Sequence, residues 1–337
     1  MRQTILILGM GGTIAGLAPK PGDDPLNYVA GQLGVTDLLK GLPMEDQYPI
    51  QSEQVANINS GDLTHPLMTK LGRRVRQALE DPVIQGIVIT HGTDTIEETG
   101  LFLHLTCGHL ANTLGKTVVL TGVMLPSNAP GADGPDNLAL AVAAASGKVH
   151  LQGRDLALPG GVVGAFASRL VAARRYAKRY SSKIDAPVAD TPDLDLKDLV
   201  SQVDLPIPDA DDWPWVEILT SHAGTKPQVI DFLVKNGVEG LVIAGTGQGN
   251  INQDLLGALK KAKEKNLPMI RSSRTGSGEI RQNVPVNDDA LGTQASGTLT
   301  PAKARIALQL LIHAFNKDKS LDWKSFFATI VDLAVKK

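Results

Sequence analysis

Gly86-Ile87-Val88-Ile89-Thr90-His91-Gly92-Thr93-Asp94-Thr95-Ile96-Glu97-Glu98-Thr99 is the stretch that decides the fold. Its first four residues are apolar without alternation, the pattern of a strand covered on both faces. The later residues open a helix, predicted over Asp94 to Cys107. The turn between them sets the Thr93 hydroxyl beside the Asp94 carboxylate at the C-terminal end of a strand. Open α/β sheets gather their ligands at such places. Asp94 has an ordinary role available as N-cap, with Glu97 three residues on completing a capping box. Thr93 has no comparable local role.

The same alternation runs outward from there. Ile5-Leu6-Ile7-Leu8, Val55 to Ile58, Thr117 to Leu120 and Val162 to Phe166 read as strands. Leu63 to Leu79, capped by Asp62 or Thr64, and Asn137 to Ala145 read as helices. These elements predict a doubly wound, mainly parallel α/β sheet in a larger N-terminal domain, residues 1–188. From Asp185 to Trp215 the chain has nine Asp, five Pro and one Lys. Pro and acid interrupt both periodicities, so 189–214 reads as a linker. Strands resume at Val216 to Leu219, Leu241 to Ala244 and Met269-Ile270. Helices are predicted at Lys226–Lys235, Gln253–Lys263, Pro301–Asn316 and Leu321–Val335, with Pro301 at N1. They make 215–337 a smaller C-terminal α/β domain.

The bulk composition narrows the function classes. The chain has 337 residues, 42% hydrophobic and 20% charged, a folded composition with room for two domains. The formal net charge of -2 gives nucleic acid and anionic membranes nothing to hold. One cysteine, Cys107, excludes an internal disulfide and suits a reducing compartment. Its spacing from Ile96, Gly100 and Leu103 marks it as a core residue. No signal peptide is read at the start, and no apolar run reaches the roughly 18 residues of a membrane span. A cytoplasmic protein is expected.

Three constellations could carry chemistry. Gly9-Met10-Gly11-Gly12-Thr13-Ile14-Ala15-Gly16 comes directly after the first strand and projects Thr13 at its C-terminal end. It is neither the dinucleotide fingerprint, because Ile14 takes the third glycine place, nor a P-loop. The Thr93–Asp94 pair is the second. A threonine hydroxyl is a poor nucleophile and Asp94 alone a weak base, so a desolvated lysine would complete the set. The third is the basic run from Arg169 to Lys183, ordinarily a solvated face, which could supply that lysine. Its only aromatics, Tyr176 and Tyr180, make a poor nucleic-acid surface. The seven histidines show no metal-ligand spacing, and neither metal nor organic cofactor is expected.

Gly11-Gly12-Thr13-Ile14-Ala15 and Thr90-His91-Gly92-Thr93-Asp94-Thr95 resemble the two threonine signatures of the bacterial-type L-asparaginases, the asparaginase/glutaminase family. The likeness runs nearly the whole chain. Asn57-Ile58-Asn59-Ser60-Gly61-Asp62 resembles the family's substrate-binding loop. Ala132 to Leu138 matches its Asp-Gly-Pro-x-Asn-Leu segment, and Ala173 to Lys178 the stretch bearing its lysine. Arg271-Ser272-Ser273-Arg274 and Ala295 to Leu299 match its C-terminal domain. The resemblance implies a flavodoxin-like first domain and a Rossmann-like second one. It implies hydrolysis of L-asparagine to L-aspartate and ammonia through an acyl-threonine, or the corresponding glutaminase or mixed activity. Thr13 would be the nucleophile on a lid, contacted by Tyr28. Thr93, Asp94 and Lys178 would handle protons, while Ser60 and Asp94 grip the substrate's α-carboxylate and α-amino groups. The residues by themselves leave open which threonine attacks first. A homotetramer with sites completed across a dimer interface is also implied.

The chain departs from the family pattern at several places. Gly61 stands where many members have Gln, and Leu125 where Arg is common. Gln248 stands where an Asn often reaches a neighbouring subunit's site. No glutamate lies near Pro285, the expected place of the cross-subunit acid, and Glu279 would need a local shift. These departures bear on substrate preference more than on the reaction. A non-catalytic amino-acid sensor using the same pocket is the alternative from another class.

Overall fold

The computed structural model describes residues 3–17, 29, 31–40, 48–188, 191 and 193–331. The chain divides into two compact units, Met1–Ile207 and Pro208–Lys337.

The first unit is built on β1 (Thr4–Gly11), β2 (Ile50–Ile58), β3 (Ile84–Thr90), β4 (Thr117–Thr121), β7 (Gly161–Phe166) and β8 (Arg169–Ala172). Their order is β2-β1-β3-β4-β7-β8. All neighbours are parallel except the edge pair β7–β8. β1, β4 and β7 are buried along their whole length and β3 at all but Gln85, as their apolar runs require. α1 (Val35–Leu39) and α4 (Gly134–Ala145) share one core cluster with Ile5, Ile7, Val88, Val119 and Val163. α2 (His65–Glu80) and α3 (Ile96–Thr113) pack together, and a Cβ on Gly72 would strike Phe102. The sheet is therefore doubly wound.

The crossovers β3–α3–β4 and β4–α4–β7 travel the same way across the sheet but on opposite faces, so their hands differ. The β1–α1–β2 crossover runs the other way on α4's face and shares the hand of β3–α3–β4. The connection through α4 is thus the rare left-handed one. It includes a small antiparallel hairpin, β5 (Lys148–Leu151) with β6 (Arg154–Ala157).

In the second unit β9 (Val216–Thr220), β10 (Gly240–Gly245), β11 (Met269–Ser273) and β12 (Thr293–Ala295) form a parallel sheet in simple sequence order. α5 (Gln228–Lys235) and α6 (Gln253–Glu264) pack one face through Ile230, Leu233, Leu255 and Leu259. α7 (Asp288–Leu291) leads into β12, and α8 (Pro301–Lys317) lies against β9, β10 and β11. α9 (Trp323–Val331) packs on α8. At the centre Arg271 and Asp288 are fully buried and joined by two hydrogen bonds of 2.7 Å.

Two readings of the sequence change. The basic run is not a solvated face: Leu170 to Ala173 and Tyr176 are buried, because β8 pairs with β7. The acidic stretch beyond it is not all linker. Leu199 and Leu205 are buried, Leu205 donates its N–H to the Leu105 carbonyl, and the Leu196–Leu199 turn belongs to the first unit. The two charge runs pair with each other: Asp198 takes hydrogen bonds from Arg174 and Arg175, and Asp193 from Arg169.

Candidate active site

The site lies where the connections leaving β1 and β3 separate, the point at which an open sheet of this order leaves a crevice. At the end of β1, Gly11 and Gly12 have φ of 91° and 84°, conformations an L side chain resists. They turn the chain into a 3₁₀ turn, Thr13–Ala15, with the Thr13 side chain buried. A Cβ on Gly12 would sit 2.4 Å from the Gly92 Cα. One on Gly92 would sit 2.5 Å from Ser60 Oγ. Three turns thus abut, from β1, β2 and β3, and each contributes a hydroxyl residue: Thr13, Ser60 and Thr93.

The contacts among them are specific. The Asp94 N–H donates to Ser60 Oγ at 3.3 Å, and Thr95 Oγ1 donates to the Ser60 carbonyl at 2.8 Å. Lys178 Nζ donates to Thr93 Oγ1 at 2.9 Å and to Asp94 Oδ1 at 2.6 Å. Asp94's side chain is 57% exposed and Lys178's 19%, so the carboxylate stays open to a ligand while the ammonium is largely withdrawn. Among the described residues the Thr93 N–H meets no acceptor. Asp94 is not the N-cap it could have been: α3 begins at Ile96, Thr95 holds the cap position, and the Asp94 side chain turns to Lys178.

The bracing beneath the site was only partly legible in the sequence. His91 is buried and takes a hydrogen bond from Thr99 Oγ1 at 3.0 Å while its Nδ1–H donates to the Gly92 carbonyl at 2.8 Å. Burial lowers its pKa to about 4, so the ring is neutral. Asp133 accepts from the Met124 and Leu125 N–H groups, and Asn137 donates to the Gly122 carbonyl. Desolvation raises the Asp133 pKa even with those donors around it. Leu125 meets Asp133 through its backbone. Ser127 donates to the Gly16 carbonyl, tying the β4 exit to the Thr13 turn.

Thr13, Ser60, Thr93, Asp94 and Lys178 are therefore brought together. Gly61 is exposed beside Ser60, its N–H on Asn59 Oδ1, the one atom among the described residues within reach of a Cβ. Tyr28 lies outside the described residues, as does most of the segment read as a lid. Gln248 is exposed in the second unit, its carbonyl accepting from Arg271 Nη1 at 2.9 Å. Glu279 is exposed there too. Cys107 is buried in α3, its thiol pushed up to about 12 by desolvation, and takes no part. Among the described residues no three His, Cys, Asp or Glu cluster as metal ligands. None of the described helices is long and apolar enough to cross a membrane.

The family profile described as "Asparaginase, N-terminal" matches residues 4–194, and "Glutaminase/Asparaginase C-terminal domain" matches 215–322. The chain belongs to the asparaginase family. Among its relatives in that family, "Probable L-asparaginase periplasmic" of Haemophilus influenzae is 34% identical, over 91% of this chain and 88% of that one. "Glutaminase-asparaginase" of Acinetobacter glutaminasificans is 31% identical, over 95% and 98%. The crystal structure of "Probable Cytoplasmic L-asparaginase" from Campylobacter jejuni superposes with a TM-score of 0.80 at 31% identity, over 98% of this chain and 99% of that one.

Proposed function

We propose that this protein is an amidohydrolase that converts L-asparagine and water to L-aspartate and ammonia. The observation that carries the reading is the Lys178 ammonium bridging Thr93 Oγ1 and Asp94 Oδ1 beside the Thr13 turn. A pocket that only binds an amino acid has no need of a hydroxyl held on a withdrawn cation. Names borne by the family relatives support the same substrate class.

Thr13 Oγ1 attacks the side-chain amide carbon, and its proton reaches the amide nitrogen, which leaves as ammonia. The ester on Thr13 is then opened by water, which supplies the new acid oxygen and returns a proton to the threonine. The Thr93–Asp94–Lys178 set relays those protons, and Tyr28 assists at Thr13. The Thr93 N–H faces the developing oxyanion. Asp94 pairs with the substrate ammonium and Ser60 with its carboxylate, while Gly61 borders the binding site and Gln248 that of a neighbouring subunit. Thr13 as nucleophile, Tyr28, Gly61 and Gln248 rest on the motif resemblance. So does the homotetramer built from dimers, whereas the division at 188 and 215 into catalytic domain, linker and C-terminal domain rests on the change of composition, the first part of that linker packing on the catalytic domain. We place the protein in the cytoplasm, as the Campylobacter relative is described, with no nucleic-acid or membrane partner.

Ammonia release measured on Asn, Gln and their D-forms tests the reading, with Thr13→Ala and Thr93→Val as folded variants. Turnover on L-Asn that collapses in both is expected. A higher kcat/KM on Gln would make the enzyme a glutaminase, a reading the Acinetobacter relative's name keeps in view. Aspartate binding without ammonia release would make it a sensor.

A further inference from the structure

Lys178 is the one member of the Thr93–Asp94–Lys178 set that does not sit on the β3–α3 connection. It reaches the other two across 85 and 84 residues of chain. Its side chain has four rotatable bonds, so the place of its ammonium depends on where its backbone is held. Residues 176–180 belong to no helix or strand. Something outside regular secondary structure must fix them.

Tyr176 stands two residues before Lys178 and is fully buried. Its ring meets Phe166 edge-on, with centroids 5.3 Å apart and planes at 69°. It occupies a slot cut by two glycines. A Cβ on Gly164 would lie 2.8 Å from the ring, and one on Gly100 only 2.0 Å from the phenol oxygen. Neither glycine has a left-handed φ, so the need for glycine comes from the space the tyrosine takes. The phenol donates to the Ile96 carbonyl at 3.2 Å. Ile96 opens α3, two residues beyond Asp94, and Gly100 lies one turn further on. Burial raises the Tyr176 pKa, so the phenol keeps its proton and remains a donor.

We infer that Tyr176 is a positioning residue: through its hydrogen bond to the first residue of α3 it sets the distance between the Lys178 backbone and the Thr93–Asp94 turn. The inference rests on the proposed catalytic role of Lys178. Two backbone bonds hold the other side of the segment, Ala177 N–H to the Pro187 carbonyl and Arg179 N–H to that of Ala186, both at 3.1 Å. Those bonds tie the lysine segment to the buried residues 186–188 that follow it. Tyr176 ties it to the helix that carries the rest of the set. Freed from Ile96, the segment keeps its fold but loses its register against Thr93.

The test is a double-mutant cycle on ammonia release from L-Asn with the full-length protein. Tyr176→Phe keeps the ring and deletes the bond. It should lower kcat about five- to tenfold, the worth of one neutral hydrogen bond, with KM unchanged within twofold. Gly100→Ala, which drives a Cβ against the phenol, should lower kcat in the same way. In a Lys178→Met background Tyr176→Phe should cost nothing further, because its effect runs through the lysine. An equal loss in both backgrounds, or full kcat in Tyr176→Phe, overturns the positioning role. Near-normal turnover in Lys178→Met alone overturns instead the reading of Lys178 on which it rests.

Discussion

Gly12→Ala is the sharpest perturbation the structure offers. Gly12 has φ 84° and ψ -168°, a region essentially closed to residues with a Cβ. Forcing alanine there costs on the order of 1–3 kcal/mol. The new methyl would lie 2.4 Å from both the Cα and the N of Gly92. Non-bonded carbons settle at about 3.5–4 Å, so the Thr13 and Thr93 turns must part by roughly 1 Å. Backbone faces backbone here, and no flexible side chain can give way. A displacement of that size at reacting groups costs about a hundredfold in rate. Ammonia release should therefore fall about two orders of magnitude in kcat. Tm should fall by only about 2–10 °C, the stability cost spread over a unit of this size. Gly257→Ala in α6 is the control: none of the described residues lies within 4 Å of its Cβ, and it should stabilise by about 0.5–1 kcal/mol with kcat intact. A Gly12→Ala enzyme with kcat within threefold of the parent would refute the idea that the two turns work in contact.

The same geometry sets three further outcomes. Lys178→Met removes the ammonium from Thr93 and Asp94 and should lower kcat by about 10²–10⁴-fold while thermal unfolding stays cooperative, as stopped assays and calorimetry can show. His91 has a folded pKa near 4 against an ordinary value of 6.5, so between those values the unfolded chain binds the extra proton. Stability from its burial is complete above about pH 6.5 and is lost as pH falls towards 4, by on the order of 3 kcal/mol. His91→Gln should flatten the fall of Tm over that window, and an unchanged slope would assign it to other groups. Arg271→Met leaves Asp288 buried without its partner and should destabilise the second unit by about 3–5 kcal/mol, read from denaturant midpoints.

How much of this was legible in the sequence depended on where the deciding contacts lie. Ile5 to Leu8 and Ile87 to Ile89 announce buried parallel strands because burial on both faces leaves no polar residue to alternate. Thr13 and Thr93 stand out because glycine-rich turns after such strands place them at a sheet's binding edge. The β8 strand was hidden: Arg169, Arg174 and Arg175 flank a short apolar core, and local composition outweighs four residues. The acidic stretch misled for the matching reason, since Asp198 finds its arginines 23 and 24 residues back, beyond any periodic window. Asp94 looked like a cap because capping is local. Its true partner is 84 residues away, and only the motif resemblance pointed to Lys178. The hairpin β5–β6 and the buried Arg271–Asp288 pair left no pattern strong enough to read.

The pairing of the two charge runs also has a consequence for the nascent chain. As the polypeptide emerges from the ribosome, every hydroxyl and charged group of the bridge is present once Lys178 is out. The segment that carries it is then only half braced: Tyr176 can already reach Ile96, but the segment's backbone partners are Ala186 and Pro187, and the arginines before it wait for Asp198. Domains fold as units in order of synthesis. The first unit can therefore complete the support of the Lys178 bridge only after some twenty more residues have been translated, which makes the acidic stretch the last piece of that support to arrive.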